Sequence, residues 1–354
     1  MSNILHTPLC DLLGCKYPIV QTAMGWVADA NMVAGTCNAG GFGFLAGAVM
    51  TPAEVEAAIL KTKSLTDKNF GLNFHMFQPG AMEIIDIAIK HRDKVRAVSY
   101  GRGPDKKMIQ RFKDAGILCM PTVGAVKHAV KAIELGADIV TVQGGEGGGH
   151  TGSVPSSILL PQVLDAVKVP VVAAGGYYDG RGLASALACG AAGIAMGTRF
   201  LMTKESPVPQ ETLKHYVAVK DPAAIRTTTA VDGLPQRFLD NPTLHTLEAA
   251  SPVKRVFISA QNAWHWRSRT GMTIKQMAEF GFKALKDGSS VSETIMSANA
   301  PVVIQRAMVE GVPDEGLMPS GQVAAMIREL QSCEEVISGI AAQATARLES
   351  FCKK

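Results

Sequence analysis

The chain has 354 residues, of which 47% are hydrophobic, and a mean hydropathy of +0.14, values typical of a soluble globular protein with one large core and room for a subdomain. Its 35 basic and 31 acidic residues leave a net charge of +4, too small to indicate a nucleic-acid partner. Neither Lys, Arg nor a long apolar run precedes Lys16, so we expect no secretory signal, no membrane span and a cytoplasmic protein.

Short apolar segments alternate with amphipathic segments as far as about residue 203. The predicted strands are residues 19–21, 43–45, 70–74, 95–99, 117–122, 139–143, 171–174 and 193–196. The predicted helices are residues 31–39, 52–63, 82–91, 106–115, 125–135, 160–167 and 181–189. Apolar strands separated by helices are typical of a parallel sheet covered by helices. Eight of them predict an α/β fold of the (β/α)8 TIM-barrel class, and an open doubly wound sheet is the alternative, because its pattern differs only in the strand count.

The alternation ends after residue 203. Residues 204–300 contain six prolines between positions 207 and 252 and no segment that reads as a parallel strand. We therefore predict a mainly helical insertion at 204–300 that covers the carboxyl-terminal mouth of the barrel, with residues 1–203 and 301–354 forming the barrel itself. Ser320 is a suitable N-cap, so we expect a helix from Ser320 through Leu330 to return to the barrel as its eighth helix.

A glycine-rich run, residues 143–152, follows the sixth predicted strand. Its six glycines allow the backbone to approach a bound planar molecule, and His150 is the side chain in the run that exchanges protons near pH 7. The run predicts a cofactor-bound active site, and a mobile surface loop with an incidental histidine is the alternative. Glu146 would either orient His150 or face water, and we favour water.

Two glycine turns, Gly175-Gly176 and Gly197-Thr198, follow the seventh and eighth predicted strands. Barrels often hold a phosphate at these two loops on backbone N–H groups at helix N-termini. Tight packing at the strand ends is the alternative. The phosphate would belong to a sugar, a nucleotide or flavin mononucleotide (FMN).

FMN suits the remaining polar and small residues best. The backbone of Ala23-Met24-Gly25 would lie against one face of the flat ring system, and the amides of Asn73 and Gln143 would bind its polar edge. Arg181 and Arg199 would add positive charge near the phosphate, although Arg181 also fits a solvated helix face.

These segments, in this order, resemble the nitronate monooxygenase family, formerly called 2-nitropropane dioxygenases, whose members are FMN-dependent barrels. The resemblance is carried by residues 143–150, 173–176 and 196–199 and extends over essentially the whole chain. It implies that His150 is the catalytic base. The residues that it places against FMN are Ala23, Met24, Gly25, Asn73, Gln143, Gly148, Gly175, Gly176, Gly197 and Thr198.

Two positions depart from the pattern of the family. Ala23 stands where a proline commonly precedes the methionine after strand one, and Gly147 stands where the loop commonly has alanine. The runs at residues 24–28, 175–182 and 320–324 are more similar to a branch found in bacterial steroid catabolism. Members of that branch act as FMN-dependent dehydrogenases on hydroxylated ring acyl-CoA thioesters.

The resemblance implies an FMN-dependent oxidoreductase that acts on a small molecule, with no nucleic-acid or membrane partner. A carbon acid such as an alkyl nitronate would lose a proton to His150, and O2 or another acceptor would reoxidise the flavin. The enzymatic alternatives are the acyl-CoA dehydrogenase, an enoyl-thioester reductase and an NAD(P)H:quinone reductase. A ligand-binding barrel without catalysis and a phosphosugar isomerase without flavin are the alternatives from other classes.

Two further features bear on ligands. Residues 249–278 contain five basic residues and no acidic one, together with Trp264 and Trp266. Guanidinium groups beside indoles would suit the phosphates and adenine of coenzyme A or of a dinucleotide, and a solvated basic face with core tryptophans is the alternative. We predict no metal site, because the eight histidines are scattered and none lies at ligand spacing from a second histidine or a cysteine.

Overall fold

The structure, a computed structural model, describes residues 3–76, 78–101, 105–251 and 299–352. Its strands are β1 Ile19–Gln21, β2 Phe42–Ala46, β3 Phe70–His75, β4 Val95–Gly101, β5 Leu118–Cys119, β6 Thr122–Val123, β7 Val140–Gln143, β8 Gly149–His150, β9 Val171–Ala174, β10 Gly193–Met196, β11 Ile225–Thr228 and β12 Gln236–Leu239. Its helices are α1 Pro8–Leu13, α2 Ala30–Asn38, α3 Pro52–Leu65, α4 Ala81–Lys90, α5 Lys106–Asp114, α6 Val126–Glu134, α7 Ser156–Ala166, α8 Gly180–Cys189, α9 Thr198–Leu201, α10 Gln210–Ala218, α11 Pro242–Ala249, α12 Asn299–Met308 and α13 Cys333–Cys352. Short 3-10 helices span Gly47–Val49, Pro222–Ala224, Pro313–Glu315 and Gln322–Met326.

Internal contacts divide the chain into two compact units. The first comprises Met1–Gly147, Gly152–Pro207 and Met326–Lys354. The second comprises Gly148–Thr151 and Val208–Ala325. Within the described ranges, no helix combines the length and the apolar content that crossing a bilayer requires.

Nine parallel strands of the first unit form one sheet in the order β5-β4-β3-β2-β1-β10-β9-β7-β6. The outermost strands, β5 and β6, are two parts of one short segment. In the gap between them, the Met120 N–H donates to the carbonyl oxygen of Val98 in β4 at 2.8 Å, and the Pro121 carbonyl accepts the N–H of Thr141 in β7 at 2.9 Å. The same segment pairs with both ends of the sheet, so the sheet closes on itself. This closure confirms the predicted (β/α)8 barrel.

The eight predicted strands are all present, but the fifth, predicted at 117–122, is interrupted. Pro121 has no N–H to donate to the ladder, which separates β5 from β6. The helix predicted at 160–167 begins earlier, because α7 starts at Ser156 and contains Pro161 in its interior. Pro161 favoured a helix boundary beside it. The helix begins at Ser156 instead, where the Ser156 N–H and hydroxyl donate to the Glu146 carboxylate, a contact that the sequence did not reveal.

The barrel interior is filled by side chains from alternate strand positions. The buried cluster there consists of Leu9, Leu13, Val20, Phe42, Phe44, Ala97, Met120, Ile139, Val172, Ala174, Ala192 and Ala195. Gly71 of β3 pairs with Phe44 of β2, and a Cβ added at Gly71 would lie 2.2 Å from the Phe44 ring. Helix α1, which supplies the two leucines, closes the amino-terminal end of the barrel, where the Thr7 hydroxyl donates to the Ala192 carbonyl at 2.6 Å.

The second unit contains an antiparallel sheet that the prediction of a mainly helical segment did not include. Strands β11 and β12 form a hairpin, and β8 adds to β12 through the pairs Gln236–His150 and Arg237–Gly149. Helices α10, α11 and α12 account for most of the remaining regular structure described in this unit. Its apolar cluster is formed by Ala230, Val231, Phe238, Leu244, Leu247, Ala300 and Leu317. A lid function for residues 204–300 stays a prediction.

The helix predicted from Ser320 through Leu330 is wrong. That segment forms only the 3-10 turn Gln322–Met326, and the eighth barrel helix is α13, which begins at Cys333. Ser332 and Glu335 form a capping box at its start: the Glu335 carboxylate accepts the Ser332 N–H at 2.7 Å, and the Ser332 hydroxyl accepts the Glu335 N–H at 3.1 Å.

Candidate functional site

The FMN-binding residues predicted in the first unit lie where barrel strands end. Residues 23–25 follow β1, Asn73 lies near the end of β3, and Gln143 ends β7. The turns at 175–176 and 197–198 follow β9 and β10. The carboxyl ends of parallel strands in a closed barrel lie at one rim, so the structure brings these residues to the same end of the barrel.

The two late glycine turns extend from adjacent strands. Strands β9 and β10 pair in register, with Ala174 opposite Ala195. Gly175 and Gly176 have φ angles of 92° and 84°, which side chains with a Cβ rarely adopt. Neighbouring strands lie about 4.8 Å apart, so the two turns leave adjacent strands at the same rim of the barrel.

The segment after β1 lies beside the turn after β10. The Thr22 N–H donates to the Met196 carbonyl at 3.1 Å. A Cβ added at Gly197 would lie 3.6 Å from the sulfur of Met24. Met24, which is half-buried, is therefore a direct neighbour of the predicted phosphate turn.

The backbone of the loop after β1 is strained at Trp26. Its φ is 60°, the only positive φ of a non-glycine residue in the part of the chain that the structure describes. The loop is tight, because the N–H groups of Val27 and Ala28 both donate to the Met24 carbonyl at 3.0 Å. Such strain costs about 1–3 kcal/mol and clusters at functional sites, which agrees with a ligand-binding role for this loop.

Asn73 and Gln143 present half-buried amides at the rim. Asn73 is paired with Ser99 in β4, and its Nδ2 donates to the Ser99 carbonyl at 3.1 Å. Gln143 is paired with Ala174 in β9. An amide carries both donor and acceptor atoms, the combination that a flavin ring edge requires.

Glu146 is half-buried, and its carboxylate is hydrogen-bonded to Ser156 rather than fully solvated. Its carboxylate binds the start of α7, where it accepts the Ser156 N–H at 3.0 and 3.1 Å and the Ser156 hydroxyl at 2.8 Å. A negative charge at a helix N-terminus is favourable. Glu146 therefore anchors the glycine-rich run to a helix, a role that depends on a contact ten residues away in the chain.

Arg199 and Arg181 differ in burial. Arg199 is only 6% exposed, and its guanidinium donates to the carbonyls of Met202 at 2.8 Å and Glu329 at 3.4 Å. Burial lowers the pKa of Arg199 to about 10. The side chain of Arg181 is 71% exposed and pairs with Asp179 at 2.7 Å, so it occupies the solvated helix face. The predicted phosphate contacts of both arginines therefore give way to contacts with backbone carbonyls and with Asp179.

His150 forms a hydrogen bond with Asp232 inside the second unit. Its Nε2 lies 2.8 Å from Oδ2 of Asp232. The histidine side chain is 52% exposed, whereas that of Asp232 is 6% exposed. An imidazole that is accessible on one edge and held by a buried carboxylate on the other is a suitable general base.

Asp232 is held in its charged form. Burial raises the pKa of its carboxyl, but the hydrogen bond and the charge of His150, the Gln236 side chain and the Leu234 N–H together lower it below its ordinary value. The Leu234 N–H donates to Asp232 Oδ1 at 3.1 Å. Both carboxylate oxygens therefore accept a hydrogen bond.

Gly148 lies against the segment at 320–321 within the second unit. A Cβ added at Gly148 would lie 2.6 Å from the Gly321 nitrogen and from the Ser320 carbonyl carbon. Only a glycine fits this close approach. The run at 320–324, expected to begin a helix, instead packs on the loop that carries His150.

Asp232, the hydrogen-bond partner of His150, is a residue that the sequence analysis did not identify. It is 82 residues from His150 in the chain, and the two meet because β8 adds to β12. The available signal was Asp232-Gly233 between two short runs rich in β-formers, which is typical of a hairpin turn. Of the basic stretch 249–278, the part from residue 252 onward lies outside the described residues.

Comparisons with known proteins identify a family and several relatives of this chain. The profile of the nitronate monooxygenase family matches residues 6–343. The chain is 46% identical to the (3aS,4S,5R,7aS)-5-hydroxy-7a-methyl-1-oxo-octahydro-1H-indene-4-carboxyl-CoA dehydrogenase of Rhodococcus jostii, over 99% of this chain and 98% of that protein. It is 43% identical to the dehydrogenase of the same name from Mycobacterium tuberculosis, over 98% of each. A probable nitronate monooxygenase of Staphylococcus saprophyticus is 30% identical over 69% of this chain and 81% of that protein.

Solved structures agree in fold. FabK from Thermotoga maritima superposes with a TM-score of 0.80 at 28% identity, over 98% of this chain and 99% of that chain. A nitroalkane oxidase from Streptomyces ansochromogenes superposes with a TM-score of 0.75 at 27% identity, over 97% of this chain and 99% of that chain. The resemblance inferred from the sequence is thereby confirmed, together with the class of oxidoreductase. The chain belongs to the nitronate monooxygenase family.

Proposed function

We propose that the protein is an FMN-dependent dehydrogenase of an acyl-CoA thioester whose acyl group is a hydroxylated fused ring. The observation that carries the proposal is the identity of 46% and 43%, over at least 98% of this chain, with two dehydrogenases named for such a substrate. The probable nitronate monooxygenase matches only 69% of the chain. A common fold does not fix the substrate, so the match over nearly the whole chain favours the dehydrogenases.

FMN is the cofactor that we propose for the barrel rim. The N–H groups of the turns at 175–176 and 197–198 would hold its phosphate, and residues 23–25, Asn73 and Gln143 would contact its ring. The residues fit the group, because the two turns follow adjacent strands at one rim and none of these residues is a carboxylate that would repel a phosphate. When bound, FMN supplies a two-electron acceptor.

His150 would act as the general base. Dehydrogenation removes two hydrogens from the substrate, one as a proton and one as a hydride equivalent. The His150 imidazole would accept the proton, and the adjacent Asp232 carboxylate would stabilise the positive charge that forms on the ring. A bound FMN would supply the acceptor for the hydride equivalent, and O2 or another oxidant would be needed to take up the two electrons.

Anaerobic mixing with three electron donors tests the proposal. The purified protein should carry flavin absorbance bands or acquire them with added FMN. We expect the bands to bleach on mixing with the 5-hydroxy-octahydroindene carboxyl-CoA and to persist with an alkyl nitronate or with NADH. A protein that takes up no FMN would overturn the whole proposal, and bleaching by NADH or nitronate alone would overturn the substrate.

Nitronate oxidation is the second candidate. It is supported by the family profile over residues 6–343 and by the TM-score of 0.75 with a nitroalkane oxidase. The same residues would serve it, because a carbon acid also loses a proton to a base. In the mixing experiment this candidate predicts bleaching by the nitronate and none by the acyl-CoA.

A further inference from the structure

The hydrogen bonds of Asp232 restrict where His150 can hold its proton. Oδ2 lies 2.8 Å from Nε2 of His150, and Oδ1 accepts the Leu234 N–H at 3.1 Å. An ionised carboxylate only accepts hydrogen bonds, and a neutral imidazole has one donor nitrogen and one acceptor nitrogen. In the neutral ring the nitrogen next to Asp232 must therefore be the donor.

The charge of Asp232 excludes the opposite arrangement. A protonated carboxyl group could donate to an unprotonated Nε2, but Oδ1 of Asp232 accepts the Leu234 N–H at 3.1 Å, and although burial raises the pKa of Asp232, its hydrogen bonds keep that pKa below its ordinary value. At neutral pH the group is an anion. The hydrogen of the contact then belongs to the imidazole.

The backbone holds the two groups in this relation. His150 is fixed by the pairing of β8 with Gln236 of β12. The backbone before Asp232 is held in place by a hydrogen bond, in which the buried Asn299 amide donates to the Val231 carbonyl at 3.3 Å. The turn after it is closed by the Gly233 N–H, which donates to the Thr229 carbonyl at 3.0 Å. A sheet on one side and a helix on the other thus set the distance between imidazole and carboxylate.

We propose that Asp232 is a positioning residue that keeps the proton of the neutral His150 ring on Nε2 and so makes Nδ1 the atom that accepts the substrate proton. The inference rests on the proposed function, since it specifies the base of that reaction. It also predicts the failure caused by an amide at position 232. The Nδ2 group of asparagine can donate to Nε2, which moves the ring proton to Nδ1 and removes the base.

Nitrogen NMR of imidazole-labelled protein tests the assignment without substrate. Above the pH at which His150 is protonated, we expect a protonated Nε2 and an unprotonated Nδ1 in the wild type, and the reverse in Asp232→Asn. In the dehydrogenase assay, kcat of Asp232→Asn should fall about 10²–10⁴-fold, with little change in KM or FMN content. Asp232→Glu, which keeps the carboxylate, should recover part of kcat.

Asp240→Asn is the matched control. Asp240 pairs with His245 Nε2 at 3.1 Å in the same unit, but the two side chains are 34% and 57% exposed. The substitution should leave kcat and the His150 tautomer unchanged.

A wild-type ring protonated on Nδ1 would overturn the inference, as would an Asp232→Asn variant with wild-type kcat. A wild type inactive on the acyl-CoA would overturn the proposed function, while the NMR result would still decide the tautomer.

Discussion

At the residue scale, two charged side chains beside the glycine-rich loops hold backbone groups. Glu146 binds the start of α7, and Arg199 binds the carbonyls of Met202 and Glu329. Residue type and spacing predicted charge near these loops but not its partners. The partners are backbone atoms that only the fold brings within reach, and the same is true of Asp232, which meets His150 across 82 positions.

Replacing Arg199 by methionine should destabilise the protein. The change leaves the Met202 carbonyl buried without its donor, which costs about 1–3 kcal/mol. Urea unfolding measures the effect, with Arg181→Met as the control, because its exposed guanidinium pairs only on the surface. We expect no measurable change for that control. Equal unfolding midpoints for wild type and Arg199→Met would contradict the structural role of Arg199.

At the element scale, strands and helices whose pattern is local were predicted within a few residues of their ends, and elements that depend on distant partners were not. The apolar runs of β1, β9 and β10 are buried on both faces, so composition alone identifies them. The β11–β12 hairpin is short, and its third strand comes from residues 149–150. The eighth barrel helix was predicted to begin at Ser320, because serine is a common N-cap residue. It is α13, and its capping box lies at Ser332 and Glu335.

The capping box of α13 predicts a pH-dependent stability. The Ser332 N–H, the Lys204 ammonium and the Ser332 hydroxyl lower the pKa of Glu335 to about 2, below an ordinary value of about 4.3. A folded pKa below the unfolded one means that the contribution is complete above about pH 4.3 and is lost as the pH falls towards 2. The stability difference between wild type and Glu335→Gln should therefore be largest at pH 7 and shrink in acid.

Unfolding by urea at several pH values measures this difference. Glu334→Gln is the control, because the carboxylate of Glu334 accepts neither capping hydrogen bond in α13. We expect a smaller difference from wild type at pH 7 for this variant, with little change in acid. A Glu335→Gln difference that stays constant or grows as the pH falls would contradict the role of the cap.

At the scale of the whole molecule, barrel closure depends on how closely the strands pack inside. Gly71→Ala would place a methyl group 2.2 Å from the Phe44 ring, and overpacking a filled core costs about 1–3 kcal/mol. Gly339→Ala is the matched control in α13, where an added Cβ meets nothing within 4 Å. In a helix interior alanine is favoured over glycine by about 0.5–1 kcal/mol. Opposite shifts in the urea midpoint are expected, and a Gly71→Ala protein as stable as wild type would argue against the tight barrel core.

The family and the fold followed from the sequence because both depend on motifs at strand ends. The preferred substrate did not follow. In our proposal, nitronate oxidation and acyl-CoA oxidation would use the same flavin barrel and the same histidine base, so the residues at the rim would not distinguish them. The proposal for an acyl-CoA substrate depends on similarity over the whole length of the chain.

Single-turnover reduction of bound flavin tests the central claim most directly. FMN-loaded wild type and His150→Asn are each mixed anaerobically with the hydroxylated fused-ring acyl-CoA, and flavin absorbance is followed. We predict that both proteins retain FMN and that the variant bleaches about 10²–10⁴-fold more slowly, because it lacks the base. Bleaching of His150→Asn at the wild-type rate, or no bleaching of wild type by this substrate, would contradict the account.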